Sequence, residues 1–199
     1  MSRASPVSTD GGAWPPELFW DYSVTLYARP GVEAACLELQ QRHRIDVNLV
    51  LLCLWLGERG TALDGETLAR LCHATDRWQM EVVRPLRALR RRLKARIADR
   101  EPNSVAGDWP ALAVSIRERT IALEIDAEHL EQVHLGRVAA TFPATAASGP
   151  LLAGANLRNY WRFDRRDHKA LRTLLEHAFA QAAAAELDAG LQWLNGARD

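Results

Sequence analysis

The sequence contains few of the residues that build recognisable catalytic or metal sites. It has three cysteines among 199 residues, Cys36, Cys53 and Cys72, and none of them belongs to a C-x-x-C pair. Because the count is odd and each cysteine lies in an apolar helical pattern, we interpret all three as reduced thiols of the core. The glycines form neither a phosphate-binding loop nor a dinucleotide-binding fingerprint, which argues against a nucleotide site. We therefore predict no bound cofactor and no catalytic cluster.

A net charge and long hydrophobic runs are also missing. The 25 basic and 25 acidic residues cancel to a formal charge of zero, which argues against a general binder of polyanions but leaves local charged patches open. The most apolar stretch, residues 47–56, covers about half of the roughly 20 residues that a membrane helix needs. Residues 1–16 are polar and lack the apolar segment of a signal peptide. We expect a cytoplasmic protein that does not associate with membranes.

The apolar stretch at residues 47–56 predicts the central helix of the fold. Its residues are apolar apart from Asn48, so the helix has no polar face to turn towards water and is predicted to be buried on all sides. Asp46 offers an oxygen that can cap the first free N–H groups, and Gly57 or Gly60 can take the left-handed conformation that ends a helix. We expect the rest of the chain to wrap around this helix.

Helical spacing of apolar residues continues on both sides of the central helix, and no strand pattern or repeat interrupts it. The predicted helical stretches are residues 16–28, 32–43, 64–75, 76–98 and 109–140, with two or three further pieces in 151–194. Pro85 is predicted to kink or divide the helix at 76–98 near Val82. The predicted fold is all-α, a single globular domain of about seven or eight helices at residues 16–199, after a disordered tail at 1–15.

The two longest helices are expected to form an antiparallel hairpin around the loop at residues 99–108. Apolar residues of the second helix alternate by four and three positions, as in a coiled coil. This seam consists of Trp109, Ala113, Ile116, Thr120, Leu123, Ala127, Leu130 and His134. The seam of the first helix consists of Trp78, Val82, Leu86, Leu89, Leu93 and Ile97. We expect the two seams to meet.

Several short motifs resemble a known bacterial family. They include Phe19-Trp20-x-Tyr22-Ser23, Tyr27-x-x-Pro30-Gly31-Val32, Asp46-Val47-Asn48-Leu49-x-Leu51, Leu54-Trp55-Leu56 and Val83-x-Pro85-Leu86-Arg87. On these motifs the chain resembles a gammaproteobacterial family of small helical proteins of unknown function, over residues 17–140, with Ala155-Asn156-Leu157-x-x-Tyr160 extending the similarity. The resemblance implies a small cytoplasmic helical protein. It assigns no activity, substrate or catalytic residue.

One pair of motifs has the spacing of a metal site. Glu131-x-x-His134 places a carboxylate and an imidazole on one helix face, as in carboxylate-bridged di-iron bundles, and Asp126-x-x-His129 precedes it. Such a site needs a second motif of this kind and further glutamates on other helices, and the buried stretches offer no matching set. We predict no metal. The neighbours Cys72 and His73 predict no nucleophile either, because adjacent helical residues diverge by about 100°.

Two runs of basic residues are the strongest polar feature of the sequence. The residues that we single out as a surface for an anionic partner are Arg84, Arg87, Arg91 and Lys94 in the first run and Arg158, Arg162, Arg165 and Arg166 in the second. Aromatic residues lie within the second run, a combination that suits a phosphate backbone or stacked bases. Internal pairing is the other interpretation, because the hairpin would place Arg84 level with Glu124 and Arg77 level with Glu131.

Three functions stay open on the sequence alone. We favour a non-enzymatic protein that acts through a protein partner or by self-association. The second is a nucleic-acid-associated protein that uses the two basic runs, which extensive pairing of the first run with residues 118–131 would exclude. The third is an enzyme or ligand binder with a site assembled from dispersed residues. Aromatic residues near the N-terminus, among them Phe19 and Tyr22, could line a ligand pocket, but their helical spacing favours the core.

Overall fold

The computed structural model describes residues 17–98, 109–144 and 147–195, and these residues are helical with no β-strand. The helices are α1 (Leu18–Tyr27), α2 (Val32–His43), α3 (Val47–Glu58), α4 (Gly65–Trp78), α5 (Arg84–Ala98), α6 (Trp109–Ala139), α7 (Pro150–Tyr160), α8 (His168–Ala178) and α9 (Ala184–Asn195). A 3-10 turn, Arg165–Asp167, leads into α8. The predicted all-α fold is confirmed. The predicted tail at residues 1–15 and the predicted loop at 99–108 lie outside the described residues.

The fold contains two compact units, which we call the middle unit and the terminal unit. The middle unit includes Ala74–Glu131, and the terminal unit includes Pro16–His73 and Gln132–Asp199. The boundaries fall inside α4 and α6, so each of these helices contributes residues to both units. The single domain expected over residues 16–199 stays a prediction.

The core of the terminal unit contains α3. Every residue from Asn48 to Gly57 is buried, as expected for a helix that has no polar face. The Asp46 carboxylate accepts a hydrogen bond from the backbone N–H of Asn48 at 2.9 Å and so caps the first turn. After the last turn Gly60 has a φ of +73°, which places it in the left-handed region. In the described part of the chain, neither α3 nor any other helix is long and apolar enough to span a bilayer.

Glycines allow α7 to cross its neighbours at backbone distance. A β-carbon added to Gly57 of α3 would lie 2.5 Å from the β-carbon of Ala153. One added to Gly154 would lie 2.4 Å from the carbonyl oxygen of Gly190 in α9. Both distances are far shorter than a van der Waals contact, so only glycine fits at these crossings. The composition showed these glycines, but their role depends on neighbours that are distant in sequence.

The middle unit contains the end of α4, α5 and most of α6. A π-helical turn, Gln79–Val83, joins α4 to α5 without a break, and the N–H of Arg84 donates to the carbonyl of Gln79 to close it. This wider turn lies where the sequence predicts a kink near Val82. It ends two residues before Pro85, which has no N–H to donate and whose ring crowds the preceding turn.

Candidate functional site

The buried side of α6 in the middle unit is largely polar. The residues that it buries include Ala113, Thr120, Glu124, Ala127 and Glu131, which are spaced seven, four, three and four apart. Of the predicted seam, Ala113, Thr120 and Ala127 are indeed buried. The prediction that Ile116, Leu123 and Leu130 are buried is wrong. The helix is rotated about its axis, so that Glu124 and Glu131 are buried instead of Leu123 and Leu130.

Three apolar residues of the predicted seam, together with Leu112, form a narrow exposed stripe on α6. We call Leu112, Ile116, Leu123 and Leu130 the apolar stripe; their exposed fractions are 61%, 49%, 56% and 43%. At about 100° per residue these four side chains lie within roughly 40° of one another around the helix axis. The predicted seam residue His134 is exposed as well, as is Leu89 of α5. The side chain of Trp109 lies outside the description.

Arginines of α5 explain why a glutamate is buried in this seam. Arg87 donates from Nε to Glu124 Oε1 at 3.1 Å and from Nη2 to Glu128 at 2.6 Å. Arg90 donates to both oxygens of Glu124, at 2.5 Å from Nε and 3.2 Å from Nη2. Further along, Gln79 Nε2 donates to Glu131 at 2.6 Å. Charged hydrogen bonds of this kind compensate much of the cost of removing the carboxylates from water.

The predicted pairs between the two helices are therefore wrong in register. Arg87, not Arg84, binds Glu124, and Arg77 pairs with Glu81 on its own helical segment at 3.0 Å. Glu131 is contacted by Gln79 instead. The observed partner lies three residues after the predicted one at Glu124 and two residues after it at Glu131.

The predicted anionic-partner residues of the first run differ in their surroundings. Arg87 is largely buried in its ion pairs. Arg84, Arg91 and Lys94 are exposed and have no ion pair with a described carboxylate. Pairing with residues 118–131 thus neutralises Arg87 and Arg90. The other three predicted residues of this run, Arg84, Arg91 and Lys94, stay open to an anion. The first run keeps an exposed basic surface on α5.

The second basic run lies in the terminal unit around the end of α7. Arg162 and Arg165 are exposed, whereas Arg158 is half-buried. Arg166 is paired with Asp164, with 2.7 Å between Nη2 and Oδ2. Because the two runs belong to different units, the joint surface that the sequence suggested stays a prediction.

A buried aspartate forms a polar cluster that the sequence did not indicate. Asp167 is fully buried, and its Oδ1 accepts a hydrogen bond from Arg42 Nη1 at 2.6 Å. Its Oδ2 accepts from the backbone N–H of Asp164 at 2.7 Å and contacts His43 Nε2 at 2.9 Å. The Phe163 ring meets the His43 ring edge-on at 5.9 Å. We call Arg42, His43 and Asp167 the Asp167 cluster; it fastens the end of α2 to the turn before α8.

The chemistry of the Asp167 cluster is that of a structural tie. A carboxylate that holds an imidazole is also found beside catalytic nucleophiles, but no Ser, Thr or Cys side chain among the described residues forms a hydrogen bond with His43. Every contact of the carboxylate joins it to Arg42, His43 or the backbone of Asp164. The only local signal in the sequence is Asp164-x-x-Asp167, which forms a capping box at the 3-10 turn.

The structure assembles no metal site from the residues that the sequence singled out, among the residues that it describes. Glu131 is buried, and His134, three residues later, is exposed. Within the described ranges no group of three His, Cys, Asp or Glu side chains is arranged to hold a metal ion. Cys36 and Cys53 are buried free thiols, and Cys72 is half-buried. Burial raises the pKa of the Cys53 thiol, which favours its protonated form.

Comparison with known proteins matches the chain to a family of proteins of unknown function. The family model described as "Protein of unknown function (DUF2390)" matches residues 18–135, which is more than half of the chain. No curated protein and no solved structure matches the sequence. The matched range contains the motifs on which the resemblance rests. Its continuation to residues 155–160 and the gammaproteobacterial origin stay predictions.

Proposed function

We propose that this chain, which belongs to the DUF2390 family of proteins of unknown function, is a non-enzymatic protein that acts by self-association. The observation that supports this function is the apolar stripe of α6. Four large apolar side chains lie exposed in one line, while the same helix buries glutamates. A contiguous exposed apolar stripe on a folded protein is typical of an interaction surface. A cytoplasmic location belongs to the same proposal, because free cysteines suit a reducing compartment.

The stripe has the dimensions of a helix-pairing surface. Leu112 and Leu130 are eighteen residues apart, which at about 1.5 Å per residue makes a line of roughly 27 Å. Ile116, Leu123 and Leu130 follow one another at intervals of seven, the repeat that keeps one line of a helix against a partner helix. Burial of each such side chain contributes about 1.5–3 kcal/mol. Pairing of two stripes therefore supplies the free energy for a weak to moderate dimer.

Charges within the stripe favour a second copy of the same chain as the partner. Arg119 and Asp126 lie seven residues apart on the line of the stripe, and neither has an ion-pair partner among the described residues. Two copies of α6 that run antiparallel, with the two-fold axis between these residues, bring Arg119 of one copy opposite Asp126 of the other, twice. Parallel pairing would place each residue against its own copy and produce repulsion. We therefore propose an antiparallel homodimer.

Substitution of Leu123 by glutamate is expected to abolish this dimer. Both copies lose an apolar contact and bury a charge instead, so the dissociation constant should rise at least about a hundredfold. The measurement is the molar mass in sedimentation equilibrium across a wide concentration range. Leu151→Glu is the matched control, because Leu151 is exposed to a similar extent, 53%, but lies in the terminal unit. Equal masses for Leu123→Glu and the unchanged protein would contradict the proposal.

Nucleic-acid binding is the second candidate, and the exposed basic residues of α5 support it. Arg84, Arg91 and Lys94 have no ion pair with a described carboxylate. If these three side chains contact phosphates, the affinity for duplex DNA should fall as the salt concentration rises. A plot of the logarithm of the binding constant against the logarithm of the salt concentration should have a slope of about −3. The double substitution Arg91→Gln and Lys94→Gln should reduce that slope by about two. Arg166→Gln, whose charge is already paired, is the control. Salt-independent or undetectable binding would remove this candidate.

A further inference from the structure

The terminal unit has an open cleft of about 320 Å³ beside the C-terminal end of α3. We call it the Trp55 cleft. Its apolar lining includes Phe19, Trp55 and Phe142, and its polar lining includes Glu17, Arg59 and Arg137. The rings of Phe19 and Trp55 lie 5.2 Å apart. A cleft of this volume is at the small end of ligand sites, with an aromatic wall and a few polar groups, which suits a small organic molecule.

Arg59 supplies an unneutralised positive charge at this cleft. Its guanidinium carbon lies 4.9 Å from the centre of the Trp55 ring, so the indole holds the cation in place. Arg59 forms no ion pair with a described carboxylate. A guanidinium has five N–H donors in a planar fork. Held over an aromatic wall, this fork is available to a planar acceptor that enters the cleft.

The second arginine of the cleft is only weakly neutralised. Arg137 Nη2 lies 3.3 Å from Glu17 Oε1, and the Arg137 side chain is 65% exposed. An ion pair that is this exposed and this long contributes little free energy. Two arginines and one glutamate together leave the cleft with a net positive charge. A ligand with a single negative charge neutralises this net charge of one, so the balance matches a monoanion.

We propose that the Trp55 cleft binds a small organic carboxylate with a flat apolar body. The ring of such a ligand packs against Phe142, and its carboxylate accepts two parallel hydrogen bonds from Arg59, which is stacked on the Trp55 ring. The planar fork of arginine matches a carboxylate in this way. Gly136, which also lines the cleft, packs closely against α1, since a β-carbon there would lie 3.3 Å from the β-carbon of Phe19. All these residues belong to the terminal unit, so the site is independent of the proposed self-association.

Benzoate is the probe that tests this site, with benzamide as its uncharged counterpart. In amide-resolved NMR of the full-length chain, benzoate should shift signals of residues 59–61 and 136–140 and saturate with a dissociation constant on the order of 1 mM. Benzamide should bind at least about tenfold more weakly, because it lacks the charge that Arg59 recognises. Shifts spread over the whole surface, or equal affinity of the two probes, would overturn the proposal.

Substitution at Arg59 tests the assigned contact. Arg59→Gln should weaken benzoate binding at least about tenfold, whereas Arg59→Lys should keep part of the affinity because the charge remains. Arg29→Gln removes the same charge from an exposed turn of the same unit and should leave binding unchanged. Benzoate affinity that is equal in Arg59→Gln and Arg29→Gln would show that the site is not the Trp55 cleft.

Discussion

Replacement of Asp167 by alanine should lower the free energy of unfolding by about 3–5 kcal/mol. The Asp167 carboxylate is fully buried and is the common partner of Arg42 and His43. Its loss leaves the His43 side chain, which is 14% exposed, without this partner, and leaves Arg42, which is 29% exposed, with Glu38 as its remaining ion-pair partner. Chemical denaturation at neutral pH measures the change. Asp21→Ala removes an exposed carboxylate and should cost less than about 1 kcal/mol.

The contribution of Asp167 should also depend on pH. Burial alone would raise the pKa of this carboxyl, but hydrogen bonds from the Asp164 backbone, His43 and Arg42 lower it further than burial raises it. A folded-state pKa below the unfolded value of about 3.9 means that the stabilisation is complete above about pH 4. It is lost as the pH falls through the folded-state pKa. Asp167→Asn should abolish this part of the acid sensitivity, and unchanged acid denaturation would contradict the assignment.

Glu124→Ala should destabilise the middle unit by about 3 kcal/mol. Glu124 accepts hydrogen bonds from both Arg87 and Arg90 and has a side chain that is 9% exposed. Its removal leaves two partly buried guanidinium groups short of a carboxylate. The matched control is Glu81→Ala, which breaks an exposed pair with Arg77 and should cost about 0–1 kcal/mol.

The comparison of these two variants by thermal and chemical unfolding isolates the buried ion pairs. If Glu124→Ala costs no more than Glu81→Ala, the polar seam of α6 contributes nothing to stability. In a double-mutant cycle, Arg90→Met should recover part of the loss that Glu124→Ala causes, because it removes one of the two guanidinium groups left short of a carboxylate. Additive losses in that cycle would contradict the pairing of Arg90 with Glu124.

Local patterns predicted the helices well, and α3 shows why. The prediction of a helix after Asp46 needs only an apolar run and a capping residue, both of which lie in adjacent sequence. The structure places α3 at Val47–Glu58, close to the predicted residues 47–56. The all-α class follows from the same helical spacing elsewhere in the chain.

The seam of α6 shows where this reasoning stops. Apolar spacing favours Ile116, Leu123 and Leu130 as the buried residues, but the buried line is rotated by one position to Glu124 and Glu131. Whether a glutamate can be buried depends on donors from another helix, here Arg87 and Arg90 of α5. The Asp167 cluster has the same origin, since His43 and Asp167 are 124 residues apart. Neither contact has a signal in the local sequence.

Mixing two charge-reversed variants tests the antiparallel dimer most directly. Arg119→Asp places aspartate opposite Asp126 at both ends of the pair, and Asp126→Arg places arginine opposite Arg119. Each variant alone should therefore dissociate at least about tenfold more readily than the unchanged protein. In an equimolar mixture the charges become complementary again. At a concentration where the unchanged protein sediments as a dimer, each variant should sediment as a monomer and the mixture as a heterodimer. A monomeric unchanged protein at every concentration, or a mixture that stays monomeric, would contradict self-association through α6.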